Sequence, residues 1–187
     1  MTDPLPATDA PSAPPPDRLN EVGVLVRREI EARIVGPLLE AFAREFGRER
    51  VLEIARDVVV RLARESGVSL AAAMGGAGLA EFAAGLENWK KGDAMRMEVL
   101  EQTADRFSFD VTRCRYAEMY RALGMADLGA VLSCNRDFAL IEGFNPDIVL
   151  TRTKTIMSGA DRCDFRFERK RPAGPDRPPP PQERFEV

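Results

Sequence analysis

Met97-Glu-Val-Leu-Glu-Gln102 and Phe107-Ser-Phe-Asp-Val-Thr112 are the two stretches that decide how this chain folds. Upstream of Gly92, apolar residues recur every three or four positions, as on one side of a helix. Here the recurrence drops to two, as on one face of a strand. The link around Ala104-Asp105 is short enough to send the chain straight back, which makes the two stretches neighbouring strands.

Downstream, Ile148 to Ile156 and Asp161 to Lys170 carry the same signal and turn at Ser158-Gly159. In the last stretch, alternation sends Asp161, Cys163, Phe165 and Phe167 to one face and Arg162, Asp164, Arg166 and Glu168 to the other. The second set is charged throughout and reads as the solvent face, with Asp164 a surface carboxylate. Between the strand pairs, Tyr116 to Leu123 reads as a short helix stopped by Gly124. Asp127 caps another that runs towards Ile141.

Upstream the pattern is helical. Leu19, Val22, Val26, Ile30 and Ile34 form one apolar stripe. Pro37 starts or kinks a second stretch, with Leu38, Leu39, Phe42 and Phe46 as its apolar side and Gly47 as its end. A third, from about Glu49, carries Val51, Ile54, Val58, Val59 and Leu62. Ser69 reads as the N-cap of a last helix, Leu70 to Trp89, interrupted by Gly75, Gly76 and Gly78. The expectation is an α+β fold. A helical N-terminal half packs on a four-stranded antiparallel sheet from segments near 96–103, 106–113, 147–156 and 161–170, with helices inserted between strand pairs.

The folded domain spans 17–170. Residues 1–16 and 171–187 are proline-rich, without periodic apolar residues, and read as disordered tails. The 187-residue chain has a formal net charge of -3, with acidic residues interleaved among its arginines. Runs such as Arg27-Arg-Glu-Ile-Glu31 read as solvated helix faces, and no basic face for nucleic acid is expected. No run of 18 apolar residues and no signal-like leader is present, so no membrane partner is expected. The expected setting is a reducing cytoplasm, where the cysteines stay free.

The chain has three cysteines and no histidine, which excludes Ser-His-Asp triads, Cys-His pairs and histidine-ligated metals. Cys134 and Asp137, three apart on a helix, share a face, where the carboxylate would raise the thiol pKa and could handle a proton. Cys114 opens a helix between Arg113 and Arg115, the best local setting for a lowered pKa. Cys163 points inward with two phenylalanines, as a structural core cysteine also would. Zinc on Cys114, Cys134 and Cys163 is the metal alternative, but their spacings of 20 and 29 lack a Cys-x-x-Cys pair.

The succession Cys114-Arg-Tyr-Ala-Glu-Met-Tyr-Arg-Ala-Leu-Gly124, Cys134-Asn-Arg-Asp137, Gly143-Phe-Asn-Pro146, Leu150-Thr-Arg-Thr-Lys-Thr155 and Gly159-Ala-Asp-Arg-Cys-Asp-Phe165 resembles the L-2-amino-thiazoline-4-carboxylic acid hydrolase family. The resemblance covers roughly residues 18–170, strongly from 107 onward. It implies a small-molecule hydrolase that opens a cyclic amidine or isothiourea-like ring, with Cys134, Asp137, Cys114, Cys163 and Asn145 at the matching positions.

On that reading a thiolate (Cys134 or Cys114) attacks the amidine-like carbon, or Asp137 deprotonates a water that does so. Arg152 and Lys154, on one strand face, offer a charge-assisted partner for a substrate carboxylate, and Asn145 a donor. No cofactor is expected, and the partner is a small-molecule substrate. The oligomeric state is left open. The alternative function is a non-catalytic binding or sensory module that keeps the same pocket.

Overall fold

Four strands form one antiparallel sheet in the order β1-β2-β4-β3: β1 (Met95–Gln102), β2 (Arg106–Cys114), β3 (Ile148–Thr151) and β4 (Cys163–Arg169). The computed structural model describes residues 21–170. The expectations for the two tails, and for Leu19 at the head of the first stripe, lie outside the described residues. The α+β reading holds, with helices before the sheet and between its strand pairs. At the β1–β2 turn, Thr103 accepts the Arg106 amide on its hydroxyl at 2.9 Å. β3 is shorter than expected, because Arg152 to Thr155 leave the sheet.

Two long helices precede the sheet, α1 (Val24–Phe46) and α2 (Arg48–Met74), joined at Gly47. Gly47 sits at φ 85°, a conformation that glycine adopts without the clash a Cβ brings. Pro37 lies inside α1 and does not divide it. Ser69 caps nothing: α2 runs through it, and its hydroxyl donates to the Glu65 carbonyl one turn back at 3.1 Å. The break comes at Gly75, φ 68°. Helices α3 (Leu79–Gly85) and α4 (Glu87–Lys90) follow, and the Glu81 carboxylate accepts the Gly78 amide at 3.0 Å.

One face of the sheet carries Phe107, Phe109, Val111, Leu150, Phe165 and Phe167, and packs against Phe82, Leu86, Ile141 and Phe144. A second cluster, built on Ala32, Val59, Tyr120, Leu128, Leu132 and Met157, lies among the helices. Cys114 and Ile156 touch both clusters, so the seam between them runs past Cys114.

Along α2 the buried row is Val51, Ala55, Val59, Ala63 and Gly67, small residues at four-residue spacing. They admit a very close neighbour, α7 (Arg136–Phe144). A Cβ on Gly67 would lie 2.1 Å from the Leu140 carbonyl oxygen, and one on Gly143 would lie 2.0 Å from that of Arg64. The two backbones meet at a pair of glycines, and this crossing fixes where α7 presents its first turn.

The first helices correct the sequence reading. Val22, Val26, Ile30, Ile34, Leu38, Phe42 and Phe46 are exposed, with Ile34 at 60% and Phe46 at 67%. The stripe expected to face the core instead faces outward. What α1 buries is a separate line through Ala32 and Gly36, narrow enough for the helix to sit close to its neighbours.

Candidate functional site

The segment that carries Cys134 is not a regular helix. After α5 (Arg115–Ala122) and α6 (Ala126–Gly129), the chain makes a π-helical turn, Ala130–Cys134, before entering α7. The Asn135 amide reaches back five residues to the Ala130 carbonyl at 3.0 Å. Such wide turns recur at functional sites because they re-aim side chains and backbone groups. Here the Cys134 carbonyl accepts Nη2 of Arg152 at 3.1 Å, and the Arg152 Nη1 pairs with the Asp137 carboxylate on the first turn of α7.

Arg152 stands one residue beyond β3, its side chain only 7% exposed, with the guanidinium over Phe138 and Phe165 at 5.1 and 5.3 Å from the ring centroids. It is held there by Asp164, whose carboxylate accepts the Thr153 and Lys154 amides at 2.9 and 2.6 Å and the Thr153 hydroxyl at 2.6 Å. Burial alone would raise the Asp164 carboxyl, but these donors outweigh it and hold it below its ordinary value. Asp164 is therefore a clamp for the strand exit. Lys154 is exposed, so the two cations do not share a strand face; the chain is no longer a strand where they lie.

Each thiol is pushed up. Burial, then the Asp137 charge, raises Cys134, with Arg152 opposing. Burial raises Cys163 to about 11, although its sulfur accepts the Ile156 amide at 3.2 Å. Cys114 departs from expectation: burial raises it despite the Ala117 and Tyr116 amides at the start of α5. The flanking arginines do not help it. Arg113 is engaged by Glu118 and Asp93 at 2.9 and 3.0 Å, and Arg115 by the Gly92 carbonyl at 2.6 Å. The charges of Cys114 and Cys163 both act on Cys134, and that of Asp137 acts on all three, so the four groups share one electrostatic neighbourhood. Among the described residues no group of three or more Cys, Asp and Glu side chains is gathered to hold a metal ion.

The Asp137 carboxyl is raised to about 6: burial disfavours its charge, while Arg152, Arg28 and Arg136 favour it. Arg28 and Arg136 were not singled out in the sequence. Arg28 belongs to the run read as solvated, yet its side chain is only 11% exposed, and that of Arg136 14%. Both pair with Glu31, Arg136 at 3.2 Å. Burial and the Arg28 charge lower Arg136 to about 10. Arg28, Arg136 and Arg152 against Glu31 and Asp137 give three positive charges and two negative. A signal was present in the four-residue motif itself, where Arg136 sits between Asn135 and Asp137.

Two tyrosines complete the surroundings. Tyr116 donates to the Trp89 carbonyl at 3.0 Å. Burial raises Tyr120 to about 12, and its hydroxyl has no hydrogen-bond partner among the described residues, nor has Nε of Arg152. Asn145 stands apart at the far end of α7. Its side chain is committed to the Ala77 carbonyl at 2.7 Å and the Asp147 amide at 2.8 Å, as a turn-builder.

A family model described as L-2-amino-thiazoline-4-carboxylic acid hydrolase matches residues 27–167. No curated protein matches. Among solved structures, the phenol-responsive sensory domain of the transcription activator PoxR, with phenol, aligns at 13% identity and TM-score 0.49, over 78% of this chain and 76% of that one. A trafficking protein particle complex subunit 3 from Naegleria fowleri, covalently bound to palmitic acid, aligns at 10% identity and TM-score 0.48, over 78% of this chain and 96% of that one.

Proposed function

Because the chain belongs to the L-2-amino-thiazoline-4-carboxylic acid hydrolase family, we propose that it hydrolyses a cyclic amidine or isothiourea-like ring bearing a carboxylate, such as 2-aminothiazoline-4-carboxylate. The observation that carries this reading is the Asp137 carboxyl, set near 6 beside the Arg152 guanidinium and three thiols. A group with that affinity gives up and takes back a proton near neutral pH, as a general acid–base must.

In the proposed reaction, ionised Asp137 takes a proton from water as its oxygen adds to the ring carbon between sulfur and nitrogen. Asp137 then returns that proton to the ring nitrogen. Asp137 next takes the remaining proton from the new hydroxyl and passes it to the same nitrogen as the carbon–nitrogen bond breaks. The nitrogen thus leaves as a primary amine, and the water oxygen remains as the carbonyl of a thiocarbamate. The surplus positive charge of the Arg28, Arg136 and Arg152 set suits the substrate carboxylate, which arginine holds as a charge-assisted pair. The unpartnered Tyr120 hydroxyl and Arg152 Nε–H are further donors for it. Cys134, held as a neutral thiol, is better suited to lining the ring than to attacking it unaided. No cofactor enters the scheme, and a reducing cytoplasm would keep the three free thiols as they are.

The test is to incubate the full chain with 2-aminothiazoline-4-carboxylate and follow release of the primary amine. Cys134→Ser separates the two routes: a nucleophilic thiol costs about two orders of magnitude or more when lost, a lining thiol far less. A second reading, a binding module, is favoured by all three thiols being held neutral. Calorimetric binding of the ring without turnover would establish it over hydrolysis.

A further inference from the structure

The outward stripe of α1 has no role in the site. Val26, Ile30, Ile34, Leu38 and Phe42 follow one another at four-residue spacing, and each is about half exposed or more. Each such step advances about 40° around the helix, so Val26 to Leu38 sweep an arc of about 120°. These five side chains leave on the order of 500 Å² of apolar surface uncovered on α1, at the upper end of the largest patch a monomer ordinarily exposes, and patches of that size are often functional. A stable interface buries about 800 Å² per partner, so the α1 row by itself supplies more than half of one side.

We propose that this face is covered by a second copy of the same chain, α1 against α1 across a two-fold axis. A row at four-residue spacing is a ridge, and two identical ridges interlock with their helices crossing at about −50°. A two-fold contact of this kind needs only one self-complementary patch.

The chemistry of the face speaks for that occupant. Helix α1 contains four arginines and four glutamates, so its charge sums to zero. The flanking Arg33 is already paired with Glu29 at 2.7 Å. A lipid surface would call for a cationic helix, and a charged partner for an unbalanced one. The chain's own segments outside the described residues are poorly matched: 1–20 and 171–187 offer Met1, Leu5, Leu19, Phe185 and Val187 among prolines. An identical stripe supplies one large apolar residue for each to be covered.

The experiment is sedimentation equilibrium of the full chain at tens of micromolar, beside Ile30→Asp/Ile34→Asp. The wild type should be dimeric. The variant should dissociate, its dissociation constant raised about a hundredfold or more, as loss of central interface residues does. Its far-ultraviolet circular dichroism should be unchanged, because both side chains face outward in the single chain. As a check that needs no destabilising charge, Ile34→Cys should cross-link to its own copy on mild oxidation, and Arg56→Cys should not. A monomeric wild type overturns the proposal, as does a dimer that survives the double substitution. Dimerisation that begins only when 1–20 or 171–187 is removed assigns the face to that tail. Pelleting with phosphatidylcholine vesicles in place of self-association assigns it to lipid.

Discussion

Arg152 and Asp137, fifteen positions apart in sequence, meet as a guanidinium–carboxylate pair where the exit of β3 abuts the first turn of α7. The contact joins the sheet to the helix held against α2 by the glycine crossing. Two opposing influences act on one carboxyl there: burial favours the neutral acid and Arg152 the ion, and burial prevails until about pH 6. The pair is thus a brace between two elements that also sets the proton affinity of the Asp137 carboxyl.

Asp137→Asn should lower turnover of the aminothiazoline ring by about two orders of magnitude or more, the ordinary cost of losing a general acid–base group. Asparagine is nearly isosteric and can still accept from Arg152, so the variant should fold with an unchanged circular dichroism spectrum. Replacing Asp137 with leucine should cost about 3 kcal/mol or more of stability in denaturant titration, because Arg152 is left buried without a counter-charge.

The pH dependence of rate and of stability should run in opposite directions. As a base, Asp137 must be ionised, so kcat/KM should climb as pH rises through about 6, and this limb should vanish in Asp137→Asn. For stability, the folded-state value lies above the ordinary 3.8, so between 3.8 and 6 the folded chain holds the extra proton. The contribution of this group is therefore full below 3.8 and lost as pH rises through 6. Comparing urea midpoints of wild type and Asp137→Asn at pH 5 and 7 isolates it; a difference that grows towards pH 5 in favour of the variant would contradict the assignment.

The sheet was legible because period two is a property of a strand's own residues: Phe107 and Phe109 flank Ser108, Phe165 and Phe167 flank Arg166, and all four phenylalanines are buried. The nearness of Cys134 and Asp137 follows from their three-residue separation, and the Asp137 charge acts on the thiol, although a π-helical turn and not a regular helix carries Cys134. What local sequence does not contain is which side of a helix has a neighbour. Val26 and Ile30 look like core and are exposed, while Arg28 between them looks like surface and is largely covered, paired with Glu31. Cys114 shows the same limit: adjacency in sequence suggested cations around the thiol, but Arg113 and Arg115 are drawn away by Glu118, Asp93 and Gly92.

Arg136 gives a specific test of substrate charge. Arg136→Met keeps the stem that packs in the site and removes the guanidinium. KM for the ring bearing a carboxylate should rise by about tenfold to a hundredfold, the loss of one charge-assisted pair. Hydrolysis of the same ring without its carboxylate should change little. Equal losses on both substrates would place Arg136 in the scaffold, through Glu31, and not on the carboxylate.

The glycine crossing predicts a structural sensitivity far from the reacting groups. A Cβ at Gly143 would sit 2.0 Å from the Arg64 carbonyl oxygen, and one at Gly67 2.1 Å from that of Leu140. These obstacles are backbone atoms, so no side chain can swing aside and the helices must separate. Gly143→Ala and Gly67→Ala should each cost about 3 kcal/mol, the upper part of the range for overpacking, despite alanine's better helix propensity. Once the helices have parted, a second methyl meets less resistance, so the double variant should cost clearly less than the sum. Urea titrations of the four proteins measure this, and an additive result would mean that α2 and α7 accommodate each methyl locally without moving apart.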